Sequence, residues 1–283
     1  MPTDRLEVRK TYKLYIGGAF PRSESGRSYP VTDSGGKFLA HAALASRKDA
    51  RDAVVAARRA FAGWSTITAY NRGQVLYRVA ELLEGRRDQF VALGSTGDVV
   101  SAAVDRWVWY AGWCDKIAQV LGSSNAVAGP YFDFSVPEPT GVVAVIAPQE
   151  SPLLGFVSVL APVLATGCTA VVVASEAQPL AAVALSEVLA TSDVPGGVVN
   201  VLTGRVAELA PVLAAHMDVN AIDLTGAFAV ADPASVVELQ RAAADNVKRV
   251  FLPGPTPDWE ADPGLTRIRA FVETKTVWHP VGL

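Results

Sequence analysis

The residues of this chain that could do chemistry are few and widely spaced. Glu150 and Glu176 bracket a long charge-free stretch, each a short step past an apolar run of strand length. Two carboxylates at strand ends could form a repurposed acid–base cleft at one edge of a sheet. Each could equally sit at a helix terminus, where negative charge is favoured. Cys168 follows Gly167 at the head of an apolar run, and Cys114 stands beside Trp113 in a helix-length segment. Small sulfur side chains in such company read as packing residues rather than nucleophiles. His41, His216 and His279 show no metal-ligand spacing, so no metal site is expected. Neither G-x-x-x-x-G-K-[ST] nor G-x-S-x-G occurs.

The elements that must position these residues are plainest between Glu138 and Glu176. An apolar run, Val142–Ala147, meets a turn at Pro148–Pro152, then an apolar helix-length segment, Gly167 and a second apolar run, Ala170–Ala174. Strands apolar on both faces, joined by a crossover helix, predict a buried parallel sheet and an α/β fold. Val198–Thr203, Asn220–Leu224 and Val247–Leu252 continue the pattern. The stretch between Glu150 and Glu176 is long enough to raise a membrane span, but Pro152, Gly155, Pro162 and Gly167 interrupt it, and helix followed by strand explains it better.

Upstream, Tyr12–Phe20 predicts a hairpin turning at Gly17-Gly18. Ser46-Arg47-Lys48-Asp49 has capping-box spacing and opens a helix running to about Trp64. Two further helices are expected over 69–93 and 97–121, the second carrying Trp109 and Trp113 on one face. Tyr131–Val136 alternates in the manner of a strand, residues 254–264 read as a Pro/Asp/Gly linker, and Ile268–Trp278 reads as a last strand. Its alternation sends Phe271, Glu273, Lys275 and Val277 one way and Val272, Thr274, Thr276 and Trp278 the other.

Composition bounds the function classes. The chain has 283 residues, half of them apolar, and a formal net charge of −3. That balance suits a soluble globular protein, with no basic excess for nucleic acid or a membrane surface. Two cysteines suit a reducing compartment, and the polar N-terminal residues carry no secretory pattern. The expected location is cytoplasmic.

The ordered motifs resemble the aldehyde dehydrogenase superfamily over nearly the whole chain. Glu138, Pro139, Gly141 and Val142 match its E-P-x-G-V; Pro195-Gly196-Gly197-Val198-Val199-Asn200 through Gly204 match P-x-G-V-x-N-x-x-x-G; Leu224-Thr225-Gly226-Ala227 resembles F-T-G-S. Ser95-Thr96-Gly97 and Tyr110-Ala111-Gly112-Trp113 are similar to further family segments. The resemblance implies a doubly wound parallel sheet of Rossmann type, built from 1–121 plus 142–253. Oligomerisation strands would lie in 122–141 plus 265–283, and linker 254–264 would replace the catalytic domain. A narrower resemblance is to the degenerate second half of the two-domain class-sixteen aldehyde dehydrogenases. It rests on Pro148, Glu150, Pro152-Leu153-Leu154, Phe156-Val157-Ser158, Ala161-Pro162, Thr274-Lys275, Trp278, Pro280 and Gly282.

In that family a cysteine attacks the aldehyde, an asparagine amide steadies the oxyanion, and a glutamate activates water. The resemblance puts Glu150 at the asparagine position, and an ionised carboxylate cannot donate to an oxyanion. It puts Pro253 at the base position and leaves no residue for the nucleophile, so no catalytic residue is expected. For the cofactor, the ribose-binding lysine is replaced by Val173. Glu176 could still accept ribose hydroxyls, and the backbone after Thr225-Gly226 should meet the pyrophosphate. Ala227, Phe228 and Ala231 replace smaller or more polar family residues there. Glu176, Thr225 and Gly226 are thus a vestigial cofactor set: NAD is not expected, though a residual NAD(H)-binding module is an alternative.

Both oligomerisation strands remain. The family's last strand leaves its subunit to extend a partner's sheet, and an unpaired strand needs such a sheet. Phe132, Phe134, Val136, Phe271, Val272, Thr274, Val277 and Trp278 are therefore the candidate partner interface. The expectation is an inactive subunit that docks on and supports a complete NAD(P)-dependent aldehyde dehydrogenase, with a self-associating scaffold as an alternative.

Overall fold

A computed structural model describes residues 8–230, 232–254 and 257–282. Ala231, two linker residues (255 and 256) and the first seven residues, to which the secretory-signal reading partly applies, lie outside the described residues.

The chain opens with a small sheet. β1 (Thr11–Tyr12), β2 (Ser28–Thr32) and β3 (Phe38–Ala43) lie in the order β1-β3-β2. After β1 the chain makes the expected tight turn: Ile16 and Ala19 exchange backbone hydrogen bonds at 3.0 Å in both directions. The intervening Gly17 and Gly18 have φ of 63° and 84°, a conformation that glycine adopts at no steric cost.

Helix α1 (Arg47–Thr66) begins with the capping box: the Ser46 hydroxyl accepts from the Asp49 N–H and the Asp49 carboxylate accepts from the Ser46 N–H. The two long helices expected next are each divided, into α2 (Ala69–Glu84) and α3 (Arg87–Ala92), then α4 (Gly97–Trp113) and α5 (Ile117–Leu121). Gly85 ends α2 by donating to the Glu81 carbonyl, and the turn that follows lets Phe90 enter the core at 0% exposure.

The central sheet has five parallel strands in the order β10-β9-β6-β7-β8: β6 (Val142–Ile146), β7 (Thr169–Val173), β8 (Val199–Leu202), β9 (Ala221–Asp223) and β10 (Arg249–Phe251). Every residue of β6, β7, β8 and β9 is buried. Alternation along β6 and β7 divides the core. Val143, Val145, Ala170 and Val172 face α6 (Leu154–Ala165), α2 and α4; Val142, Ala144, Ile146, Val171 and Val173 face α1 and α8 (Val206–Ala215). A fully buried valine contributes roughly 1.5–3 kcal/mol, so these runs drive the layering. Helices α7 (Leu180–Leu189) and α9 (Pro233–Ala244) complete the cover. The charge-free stretch is thus α6 plus β7, both wholly buried; among the described residues no helix is long and apolar enough to cross a membrane.

A third sheet, ordered β11-β5-β4, stands apart: β4 (Ser123–Asn125), β5 (Tyr131–Pro139) and β11 (Val272–Pro280). It corrects two expectations. Ile268 and Phe271 belong not to the last strand but to α10 (Thr266–Ala270) and the turn after it. And β11 pairs antiparallel with β5 of its own chain along its full nine residues, Val272 opposite Pro139 through Pro280 opposite Tyr131. The inner ladder groups of the strand are satisfied within the chain, while its outer edge has no partner strand among the described residues.

Candidate functional site

In an open parallel sheet, ligands bind outside the carboxyl ends of the strands where the order reverses. Here β6, β7 and β8 run to one side and β9 and β10 to the other, so the reversal lies between β6 and β9. The loop after β6 carries Gln149 and Glu150; the loop after β9 carries Thr225 and Gly226.

This crevice is closed by the chain's own groups. The Asp223 carboxylate, at the end of β9 with 0% exposure, pairs with the Arg267 guanidinium from α10. Arg267 also donates to the Thr225 hydroxyl at 3.0 Å. Its guanidinium lies 4.7 Å from the centroid of the Phe251 ring and 5.6 Å from that of Trp259, close enough for cation–π attraction to both. Trp259, from the linker, donates its ring N–H to Glu150 at 3.2 Å. Arg106 of α4 holds the linker by donating to the carbonyls of Trp259 and Ala261 at 2.7 and 3.1 Å. Beneath this cover, burial pushes the Tyr110 hydroxyl up to about 12.

The structure brings Glu150 and Glu176 to the same edge but does not pair them. Gln149 joins their loops: its side-chain oxygen accepts from the Glu176 N–H at 2.9 Å, and its backbone carbonyl accepts from the Ser175 hydroxyl at 3.0 Å. The Glu176 carboxylate faces α8, accepting from the Val206 N–H at 2.6 Å and from Arg205 at 3.1 Å. It is a helix-capping carboxylate. Pro253, half-buried just beyond β10, has no ionisable group to contribute.

The groups expected to meet a dinucleotide are engaged with the chain itself. Both oxygens of Glu176 are engaged. The N–H groups of Thr225, Gly226 and Ala227 bond respectively to the Asp223 carboxylate and the Ile146 and Leu224 carbonyls. The Thr225 hydroxyl bonds to Asp223 and Arg267. The expected helix N-terminus after Gly226 is only a 3-10 turn, Ala227–Ala229. A Cβ on Gly226 would stand 1.8 Å from the Ala147 carbonyl, so loop packing by itself requires a glycine there.

The third sheet presents the candidate docking groups, and register sorts them onto two faces. Phe132, Phe134 and Val136 share a face with Val277, which lies opposite Phe134; the rings of Phe132 and Phe134 stack at 5.3 Å. Thr274 and Trp278 lie on the other face, where Trp278 meets Tyr131 edge-on at 5.7 Å. Phe132 is 50% and Trp278 58% exposed, large values for aromatics. Phe271 and Val272 do not belong to the interface set: both are buried in the chain's own core, Phe271 against Phe251.

Sequence reading missed Asp223, Arg267, Trp259 and Arg106. An aspartate closing an apolar strand was the one available signal; the arginines and tryptophan sit in segments without a motif.

The profile of the aldehyde dehydrogenase family matches residues 21–254. The putative aldehyde dehydrogenase DhaS of Bacillus subtilis (strain 168) is 33% identical over 265 residues, 88% of this chain and 52% of its own length. Human retinal dehydrogenase 2 is 32% identical over 89% of this chain and 50% of its own length. A Bacillus cereus aldehyde dehydrogenase solved as its NAD+ complex superposes with a TM-score of 0.77 at 28% identity, covering 85% of this chain and 50% of that one. The chain therefore spans about half the length of these relatives. With the doubly wound sheet, the matched profile and the ordered motifs in agreement, this chain belongs to the aldehyde dehydrogenase family.

Proposed function

We propose that this chain is a non-catalytic subunit of the aldehyde dehydrogenase family, which docks on a complete NAD(P)-dependent aldehyde dehydrogenase and supports or regulates it. The observation that carries the reading is the closure of the switch-point crevice by Arg267, Trp259 and Glu150, beside a sheet that keeps exposed aromatics on both faces. At the oxyanion-asparagine position stands Glu150, at the base position Pro253. The chain passes from β10 to α10 through residues 252–265, with no room for a nucleophile-bearing domain between them. The outer edge of β11 has no partner strand among the described residues, and an exposed strand edge is a template for a second chain. The resemblance to the degenerate half of the class-sixteen enzymes supports the same reading, a complete enzyme supplying the other half. Two buried free cysteines agree with a reducing, cytoplasmic setting.

Self-association is the second reading, favoured by the same open edge, since two copies of β11 could pair antiparallel. Affinity purification from the native source followed by native mass spectrometry tests both. The first reading expects a stoichiometric complete aldehyde dehydrogenase in the complex; a homo-oligomer alone moves the weight to the second. Aldehyde oxidation by the pure chain, surviving removal of contaminating enzymes, overturns both.

A further inference from the structure

Near the C-terminal end of α6, a cavity of about 510 Å³ opens between the end of α1, the start of α2, α5 and the base of the third sheet. Ligand pockets run from about 300 to 1,000 Å³ and combine apolar walls with a few placed polar groups. Phe61, Ile67, Ile117, Pro137 and Val272 supply apolar wall here. Arg72 supplies the charge, and it is only 8% exposed.

A buried guanidinium is ordinarily matched by a carboxylate. Arg72 has none among the described residues. Its Nε donates to the Ala165 carbonyl at 3.0 Å and its Nη1 reaches the Ile67 carbonyl at 3.4 Å; among the described residues Nη2 has neither a carbonyl nor a carboxylate acceptor, and the guanidinium also hydrogen-bonds the Cys114 thiol. The Cys114 thiol beside it brings no countercharge, because burial pushes that thiol up to about 12. Glu138, the acidic residue of the lining, is paired with Lys275 at 3.0 Å. The Thr166 hydroxyl donates to Val163 at 2.8 Å. Ser65 donates its hydroxyl to the Ala62 carbonyl at 3.3 Å, so Arg72 remains as the cation of a lining that is part polar and part apolar.

We propose that this cavity binds a short-chain monocarboxylate, its head group on Arg72 and its aliphatic tail along Phe61, Ile67 and Ile117. A single negative charge balances Arg72, and the walls favour a tail over the further oxygens of a phosphate, which would lack donors.

Calorimetric titration of the whole chain with butyrate at constant ionic strength tests this, with n-butylamine as the cationic control. One saturable butyrate site and no site for butylamine are expected. Arg72→Met should weaken butyrate at least about tenfold, the scale of a lost charge-assisted hydrogen bond. Because Arg72 also supports the end of α6, Ala118→Phe serves as a second variant: Ala118 lines the cavity from exposed α5, so the ring fills the mouth and leaves the Arg72 bonds in place. It should abolish binding with an unchanged circular dichroism spectrum. Absence of a saturable butyrate site, equal binding of butylamine, or undiminished binding in Ala118→Phe overturns the proposal.

Discussion

Arg267 and Asp223 form a buried ion pair that ties the segment preceding β11 to the carboxyl end of β9. The carboxylate is fully buried, and the guanidinium lies between Phe251 and Trp259. A cation supplied by the chain itself thus stands where this fold usually receives a ligand.

Removing one partner of such a pair strands a buried charge. Arg267→Met should cost about 3–5 kcal/mol, read as a lower denaturant midpoint with an unchanged slope. The double variant Arg267→Met with Asp223→Asn should recover much of the loss. Equal losses in the single and double variants would show that the charge is not what matters.

Gly226 has an ordinary φ of −84°, so backbone strain plays no part in its requirement. Its missing side chain is the point, since a Cβ would sit 1.8 Å from the Ala147 carbonyl. Gly226→Ala should therefore destabilise by at least about 1–3 kcal/mol, the cost of overpacking. A thermal unfolding midpoint equal to that of the parent chain would refute the close approach of these two loops.

The two faces of the third sheet can be told apart by charge. Phe132→Glu alters the face carrying Phe134, Val136 and Val277; Trp278→Glu alters the opposite one. Both side chains are at least half exposed, so folding should change little. Whichever variant loses the co-purifying partner identifies the docking face. Loss in neither would point to the β11 edge, to be probed with Thr276→Pro, which would break hydrogen bonding along that edge.

His216 makes stability depend on pH. Burial holds its imidazole below the usual value; Lys248, Arg51 and Arg58 act in the same direction and Asp218 against it. Its Nδ1 accepts from the Asp218 N–H at 3.1 Å, which requires that nitrogen unprotonated. The unfolded chain therefore takes up the proton more readily. The contribution is fully present above the unfolded value of about 6.5 and is lost as pH falls through the lower folded value. Unfolding midpoints should drop between pH 7.5 and pH 5, and drop less in His216→Asn, whose amide oxygen can accept the same bond. Identical drops would remove His216 from the account.

The amino-acid sequence by itself determined what neighbouring residues decide. The two-faced apolar runs of β6 and β7, the Ser46–Asp49 capping box and the Gly17-Gly18 turn follow from local spacing and side-chain sterics. The alternation of Glu273 to Trp278 was equally legible, because a strand's period of two belongs to the strand alone. What each polar group meets was not. Glu176 was read as a ribose acceptor or a helix cap, and only the arrival of α8 thirty residues later gives its carboxylate the Val206 N–H. Arg267 reaches Asp223 across 44 positions, and Lys275 reaches Glu138 across 137. The pairing of β11 with β5 of its own chain was likewise invisible, since an unpaired strand satisfies its backbone on whichever edge folding brings near. Those choices belong to the tertiary structure, because burying the two core layers fixes which distant segments share an edge, and hydrogen-bond and charge partners follow from that proximity.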